Sequence, residues 1–250
     1  MKRTETIRIA VVNHSAKITD ADAAAGVAAM QKQVSEDFGP VWNVDARLEF
    51  AGKDRLRDSL PGHWGLILLD DQDQSEELGY HDLTSSGLPL ATILVSHVPS
   101  GLDWTHPASH ELMEMLADPT ADLAVYSRPD DANHRIYAQE VCDPCAAYED
   151  GYVVAGRQVA DFVFPNWFRP APSHPSTPAA NGRFDERGLI KAPLELRPHG
   201  YVAVLDPAAF TWSILGSGSE TPAPVGGDAR LQRRVAARSN WRVSDMQWLP

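Results

Sequence analysis

The chain is 250 residues long and 43% hydrophobic, enough for one large domain or two small ones around a real core. Its net charge of −12 argues against a nucleic-acid-binding surface over most of its length. With two cysteines, Cys142 and Cys145, a disulfide scaffold is excluded, and no stretch approaches the ~18 apolar residues of a membrane helix.

The first residues, MKRTETIRIAVVNHSAK, are basic, but their apolar run of about five residues is too short for a signal peptide. The expectation is a soluble, cytoplasmic protein. Residues 6–15 (TIRIAVVNHS) read as a buried strand rich in β-branched side chains. Residues 19–39 predict a helix: Thr19 or Asp20 caps it, alanine dominates it, and Gly39-Pro40 stops it. Residues 41–52 alternate as a half-buried strand, and 63–71 follow as another. Residues 70–82 (DDQDQSEELGYHD) read as an acidic solvated loop, because the glycine and terminal glutamate of a calcium loop are missing at the required spacing. Residues 88–100 are a further apolar strand. THPASHELMEMLADP (105–119) then predicts a helix with Thr105 as cap, Pro107 in the first turn and Asp118-Pro119 as the stop.

Beyond Pro119 the pattern is irregular. A Pro-rich stretch covers 169–182, residues 194–215 resemble a terminal hairpin, and GSGSETPAPVGG (216–227) reads as a linker. Residues 228–245 hold five arginines against two aspartates, which leaves −15 on the rest of the chain. This segment is either a terminal helix docking on the acidic body or a partner-binding tail. The expected organisation is a metal-binding catalytic domain over 1–168, the Pro-rich segment and hairpin packing on it over 169–215, and the linker with its Arg-rich end over 216–250.

The chemistry concentrates in the helix at 105–117. His110 and Glu114 are four apart and stand one above the other on the same face, so both can grip one ion. Glu111 lies ~100° around the helix, placed to act as general base on a metal-bound water. His106 repeats the four-residue spacing, but eight residues of helix rise ~12 Å, so His106 and Glu114 cannot share an ion through bonds of ~2 Å. His106 therefore reads as a helix-start residue or a donor that orients the ligands. By the same geometry Asp118 is too remote from His110 and reads as a helix stop. The third ligand is expected from YAQEVCDPC: Glu140 is the choice, with Asp143 as alternate ligand or as the group orienting His110. Cys142 and Cys145 read either as thiolate ligands or as a buried thiol pair or local disulfide. Tyr148, Tyr152 and His134 can each donate a hydrogen bond to a developing oxyanion or serve in packing or as a loop residue, and DFVFPNWF (161–168) reads as core or cleft wall. Leu112, Met113, Met115 and Leu116 alone would also explain the helix as a packing element.

The order of strands and helices up to residue 110 resembles the zincin metallopeptidases, whose active-site helix carries His-Glu-x-x-His after a twisted sheet with an edge strand lining the cleft. The blocks SHELMEMLADP, EVCDPC and VADFVFPNWF also resemble a group of bacterial and phage-associated proteins of unassigned function that share them. The resemblance implies an α+β fold with a twisted mixed sheet, an N-terminal helix, an active-site helix and an irregular C-terminal part. It implies His110 as first ligand, Glu111 as base, Glu114 in place of the second histidine, and Glu140 as the downstream glutamate ligand. The zincin motif is changed at Glu114. Two carboxylates and one neutral imidazole cancel the charge of a divalent ion, so its bound water is expected to be less acidic than in the usual hydrolytic site, and the harder ligand set admits Mn2+ or Fe2+ beside the expected Zn2+. The expected function is a metal-dependent hydrolase, a zinc metallopeptidase acting on a peptide or protein, with Glu111 and Tyr148 as catalytic groups. The alternatives are a non-hydrolytic redox or structural metal protein, or a degenerate zincin that binds a partner through its cleft and Arg-rich end. Neither nucleic acid nor membrane is expected as a partner.

Overall fold

The computed structural model describes residues 6–52, 62–70, 78–127, 134–169 and 182–216, together with the backbone of 223–224. β1 (Ile7–Asn13) lies at the centre of a mixed sheet, and its last five residues are all buried. A strand covered on both faces needs such a continuous apolar run. β1 pairs in parallel with β2 (Ala46–Gly52) on one side and β3 (Trp64–Leu69) on the other. β3 pairs in parallel with β5 (Pro89–Leu94), and β4 (Gly79–Leu83) closes the sheet as an antiparallel edge in the order β2-β1-β3-β5-β4.

Parallel β1 and β2 require a crossover, which is α1 (Asp20–Gln33). Thr19 caps it as expected, its hydroxyl accepting from the Asp22 N–H at 3.1 Å. The helical run does not stop at Gly39-Pro40. A π-turn at Val34–Phe38 rephases the chain, and α2 (Gly39–Trp42) follows with Pro40 in its first turn, where a missing N–H costs nothing. Asn43, at φ 55°, ends it instead.

The loop expected over 70–82 is likewise overturned at its end, because Gly79–Leu83 is β4. A turn over Thr84–Gly87 joins β4 to β5: Gly87 adopts φ 77°, its N–H donates to Thr84 O, and Thr84 N–H donates to Leu88 O. α3 (Thr105–Ala117) follows β5 and packs against β4 and β5. Thr105 lies inside α3 rather than capping it, and its hydroxyl donates to Gln158 O at 2.6 Å.

The remainder forms a second, wholly antiparallel sheet of β6 (Ala124–Ser127), β7 (Arg135–Ala138), β10 (Tyr201–Asp206), β11 (Thr211–Gly216) and β12 (Ala223–Pro224), in the order β12-β11-β10-β7-β6. The expected terminal hairpin is thus β10–β11, and it bonds edge to edge with β7. A tight hairpin of β8 (Tyr152–Val154) and β9 (Arg157–Val159) turns at Ala155 and Gly156, both at positive φ, and β9 packs on α3. The fold is α+β. Phe38, Phe162 and Trp167 anchor the main core, so DFVFPNWF is core, with Phe38 edge-on to Phe162 at 5.0 Å. Among the described residues no helix is long and apolar enough to cross a membrane. Most of the Pro-rich stretch (170–181) and the whole Arg-rich segment lie outside the described residues.

Candidate metal centre

α3 is buried along its whole length, including Thr105, His106, Ser109, His110, Glu111 and Glu114. Burying an ion without a partner costs several kcal/mol, so the polar groups of such a helix must answer one another or an ion. Ser109 does so locally: its hydroxyl donates to His106 O and accepts from Ala160 N.

His110 Nε2 lies 3.2 Å from Glu114 Oε1 and 3.2 Å from Asp143 Oδ1. The Cys142 N–H donates to the same Glu114 oxygen at 3.2 Å. Asp143 reaches the helix because residues 143–145 form a 3₁₀ turn, with Pro144 inside it and Cys145 N bonded to Cys142 O. His110, Glu114 and Asp143 thus form one set of donor atoms with metal-ligand spacing.

Glu140 does not join them. It lies instead with His81 and Asp118, its Oε2 3.8 Å from His81 Nε2. The turn at 142–145 decides this: it carries Asp143 toward His110, while Glu140, before the turn, faces the edge strand. The third position beside His110 therefore belongs to Asp143. Asp118 does end α3, and its carboxylate accepts from the N–H groups of Asp122 and Leu123. It also belongs to the His81 group.

His81, on β4, is the residue that sequence reasoning missed, since it falls in the stretch read as acidic loop. The available signal was a hairpin pattern, GYHDL and LPLATIL joined by a short Gly-containing turn. His81 Nδ1 lies 3.3 Å from Glu111 Oε2 and 3.9 Å from Glu114 Oε2. Glu111 fits beneath the strand because residue 79 is glycine: a Cβ there would come within 3.0 Å of Glu111 Cγ. His81, His110, Glu111, Glu114, Asp118, Glu140 and Asp143 are all buried, each residue at most 5% exposed.

Tyr148 stands elsewhere, one turn toward the start of α3. Its hydroxyl accepts from Asp103 N at 3.1 Å, its ring lies 5.0 Å from His106, and it lines an open groove of about 540 Å³ with Asp103, Trp104 and Arg157. Among the described residues it makes no contact with the carboxylates of the cluster, and it faces the groove instead. Tyr152 is tied up as well, its hydroxyl donating to Asp37. His106 is held through the Ala147 backbone, and burial, with His110 nearby, lowers its pKa to about 4, so it is a neutral packing residue. His134 pairs with the Tyr126 hydroxyl in an exposed position. Cys142 and Cys145 are buried and free. Burial, with the carboxylates around them, pushes both thiols well above their usual range, and among the described residues neither belongs to a group of donor atoms with metal-ligand spacing. Set against known proteins, the chain matches no family model, no curated protein and no solved structure.

Proposed function

We propose that the chain is a metal-dependent hydrolase, zincin-like in fold and peptidase in chemistry, with His110, Glu114 and Asp143 as ligands and Glu111 as general base. The observation that carries this reading is the pair of 3.2 Å separations around His110 Nε2. Tetrahedral bonds of ~2.0–2.1 Å put neighbouring donors ~3.3 Å apart, whereas a single imidazole N–H cannot point at two carboxylate oxygens at once. The nitrogen-and-oxygen donor set suits Zn2+ and admits Mn2+ or Fe2+. A divalent ion there supplies a Lewis acid for a carbonyl and for water.

The chain's own residues do the rest. Glu111 takes the proton of the attacking water and returns it to the leaving amine. His81, at 3.3 Å, orients that carboxylate, and Gly79 leaves room for it. β4 is the edge of its sheet and packs beside α3, the place where an extended peptide pairs through backbone hydrogen bonds. Glu111→Gln is expected to lower peptide hydrolysis by the metal-loaded protein at least ~100-fold with metal content unchanged. An unaltered rate removes Glu111 from the mechanism. The near-complete burial of the cluster favours a second reading, a non-hydrolytic ion-binding protein. Stoichiometric metal binding without turnover of protein or peptide substrates decides for it.

A further inference from the structure

Three residues of the constellation lie outside the ligand set proposed above: His81, which there orients Glu111, and Asp118 and Glu140. They come from three elements, an edge strand, the end of α3 and the segment after β7, yet their donor atoms lie within 4.8 Å of one another. They share no residue with the His110, Glu114 and Asp143 set.

We propose that His81, Asp118 and Glu140 hold a second divalent cation, making the protein a two-ion centre. The helix itself separates the two sets. His110, Glu114 and Asp118 form a stripe at four-residue spacing, and His110 and Asp118 are ~12 Å apart along the axis. One ion cannot span that distance, so the first turn of the stripe serves one ion and its end serves the other. The imidazole of His81 argues the same way. Nδ1 lies 3.3 Å from Glu111 Oε2 while the other nitrogen, Nε2, lies 3.8 Å from Glu140 Oε2, so the ring stands between Glu111 and the set it shares with Asp118 and Glu140. One nitrogen and two carboxylate oxygens at that spacing in a buried site are a donor set that a divalent cation fits. A ligating histidine commonly donates its other N–H to a carboxylate, which is the place Glu111 occupies. One nitrogen with carboxylate oxygens selects Mn2+, Fe2+ or Zn2+. Glu114 joins the sets, Oε1 toward His110 and Oε2 toward His81 at 3.9 Å.

The inference uses the ligand set of the proposed hydrolase but not its chemistry. The test is bound metal per chain after stripping with chelator and equilibrium dialysis against MnCl2, repeated with ZnCl2. The wild-type chain is expected to saturate at two ions, His81→Gln and Glu140→Gln at one, and Asp143→Asn at one, that of the His81 set. Saturation of the wild type at one ion overturns the second site, and so does a His81→Gln chain that still binds two. If that one ion is lost in Asp143→Asn, the hydrolase centre stands alone. If two ions bind and no substrate turns over, the second site stands and the hydrolase reading falls. Should a variant fail to fold, Mn2+ resonance on the wild type decides: a spin-coupled signal on full loading supports the pair, and an isolated-ion spectrum at every loading overturns it.

Discussion

Glu114 divides its carboxylate between two imidazoles, Oε1 toward His110 and Oε2 toward His81. In His-Glu-x-x-His the second ligand has one nitrogen to offer. A carboxylate offers two oxygens, and here they lie toward two different imidazoles, 3.2 Å from His110 and 3.9 Å from His81. A second acid pair, Asp161 and Asp185, shows the opposite solution to buried charge. Asp161 accepts from Phe162 N and Arg187 N, and Asp185 from Leu189 N and Ile190 N. Burial and its bond to Asp185 push the Asp161 carboxyl well above the usual range, so it holds a proton and donates it to Asp185. A carboxyl whose folded pKa is raised favours the folded state at low pH, and that contribution falls away as pH rises through the folded value. Asp161→Asn keeps the donor without the ionisation. It is expected to gain stability relative to wild type as pH rises above the ordinary carboxyl range, by ~1 kcal/mol for each pH unit over which only the unfolded wild-type carboxyl is ionised. Melting curves that run parallel above that range would contradict a proton held on Asp161.

Among the elements, α1 and α3 meet at a glycine. A Cβ on Gly26 would lie 2.5 Å from the Trp104 ring and 2.8 Å from Thr105 Cγ2. The Trp104 indole cannot swing away freely, because its N–H donates to Asp22 at 2.7 Å. Gly→Ala inside a helix ordinarily stabilises by ~1 kcal/mol, but overpacking costs ~1–3 kcal/mol, so Gly26→Ala is expected to destabilise. Urea unfolding checks the sign, and a stabilised variant would mean that α1 shifts without cost. Elements also set the limit of what the sequence discloses. β1, α1, β3, β5 and α3 are legible because apolar runs, caps and the four-residue spacing are local properties. β4 is not, because an edge strand between an acidic run and a polar turn carries little apolar signal. Its loss hides His81. The choice between Glu140 and Asp143 depends on a single 3₁₀ turn, and a spacing of three residues does not specify which of them faces His110.

For the molecule as a whole, the constellation joins the two sheets' neighbourhoods: β4 supplies His81, α3 the middle, and the segment after β7 Glu140 and Asp143. Five carboxylates buried together favour the unfolded chain when no cation is bound, because unfolding returns them to water. Chelator-stripped protein is therefore expected to melt lower, and added Zn2+ or Mn2+ at ~100 times its dissociation constant to restore ~2.7 kcal/mol, about 5–10 °C for a chain of this size. A melting temperature indifferent to chelator and metal would count against every metal-binding reading. The sequence by itself determines the pairing of His110 with Glu114 and the sideways placement of Glu111, because helix geometry dictates them once the helix exists. It also determines that His106 and His110 cannot act with Glu114 on one ion. Tertiary structure alone decides that Asp143 completes the first set and that His81, Asp118 and Glu140 make another. His81, Asp118 and Glu140 are 22 to 59 positions apart in the chain, and only strand order, a turn and the end of a helix bring their side chains to one place.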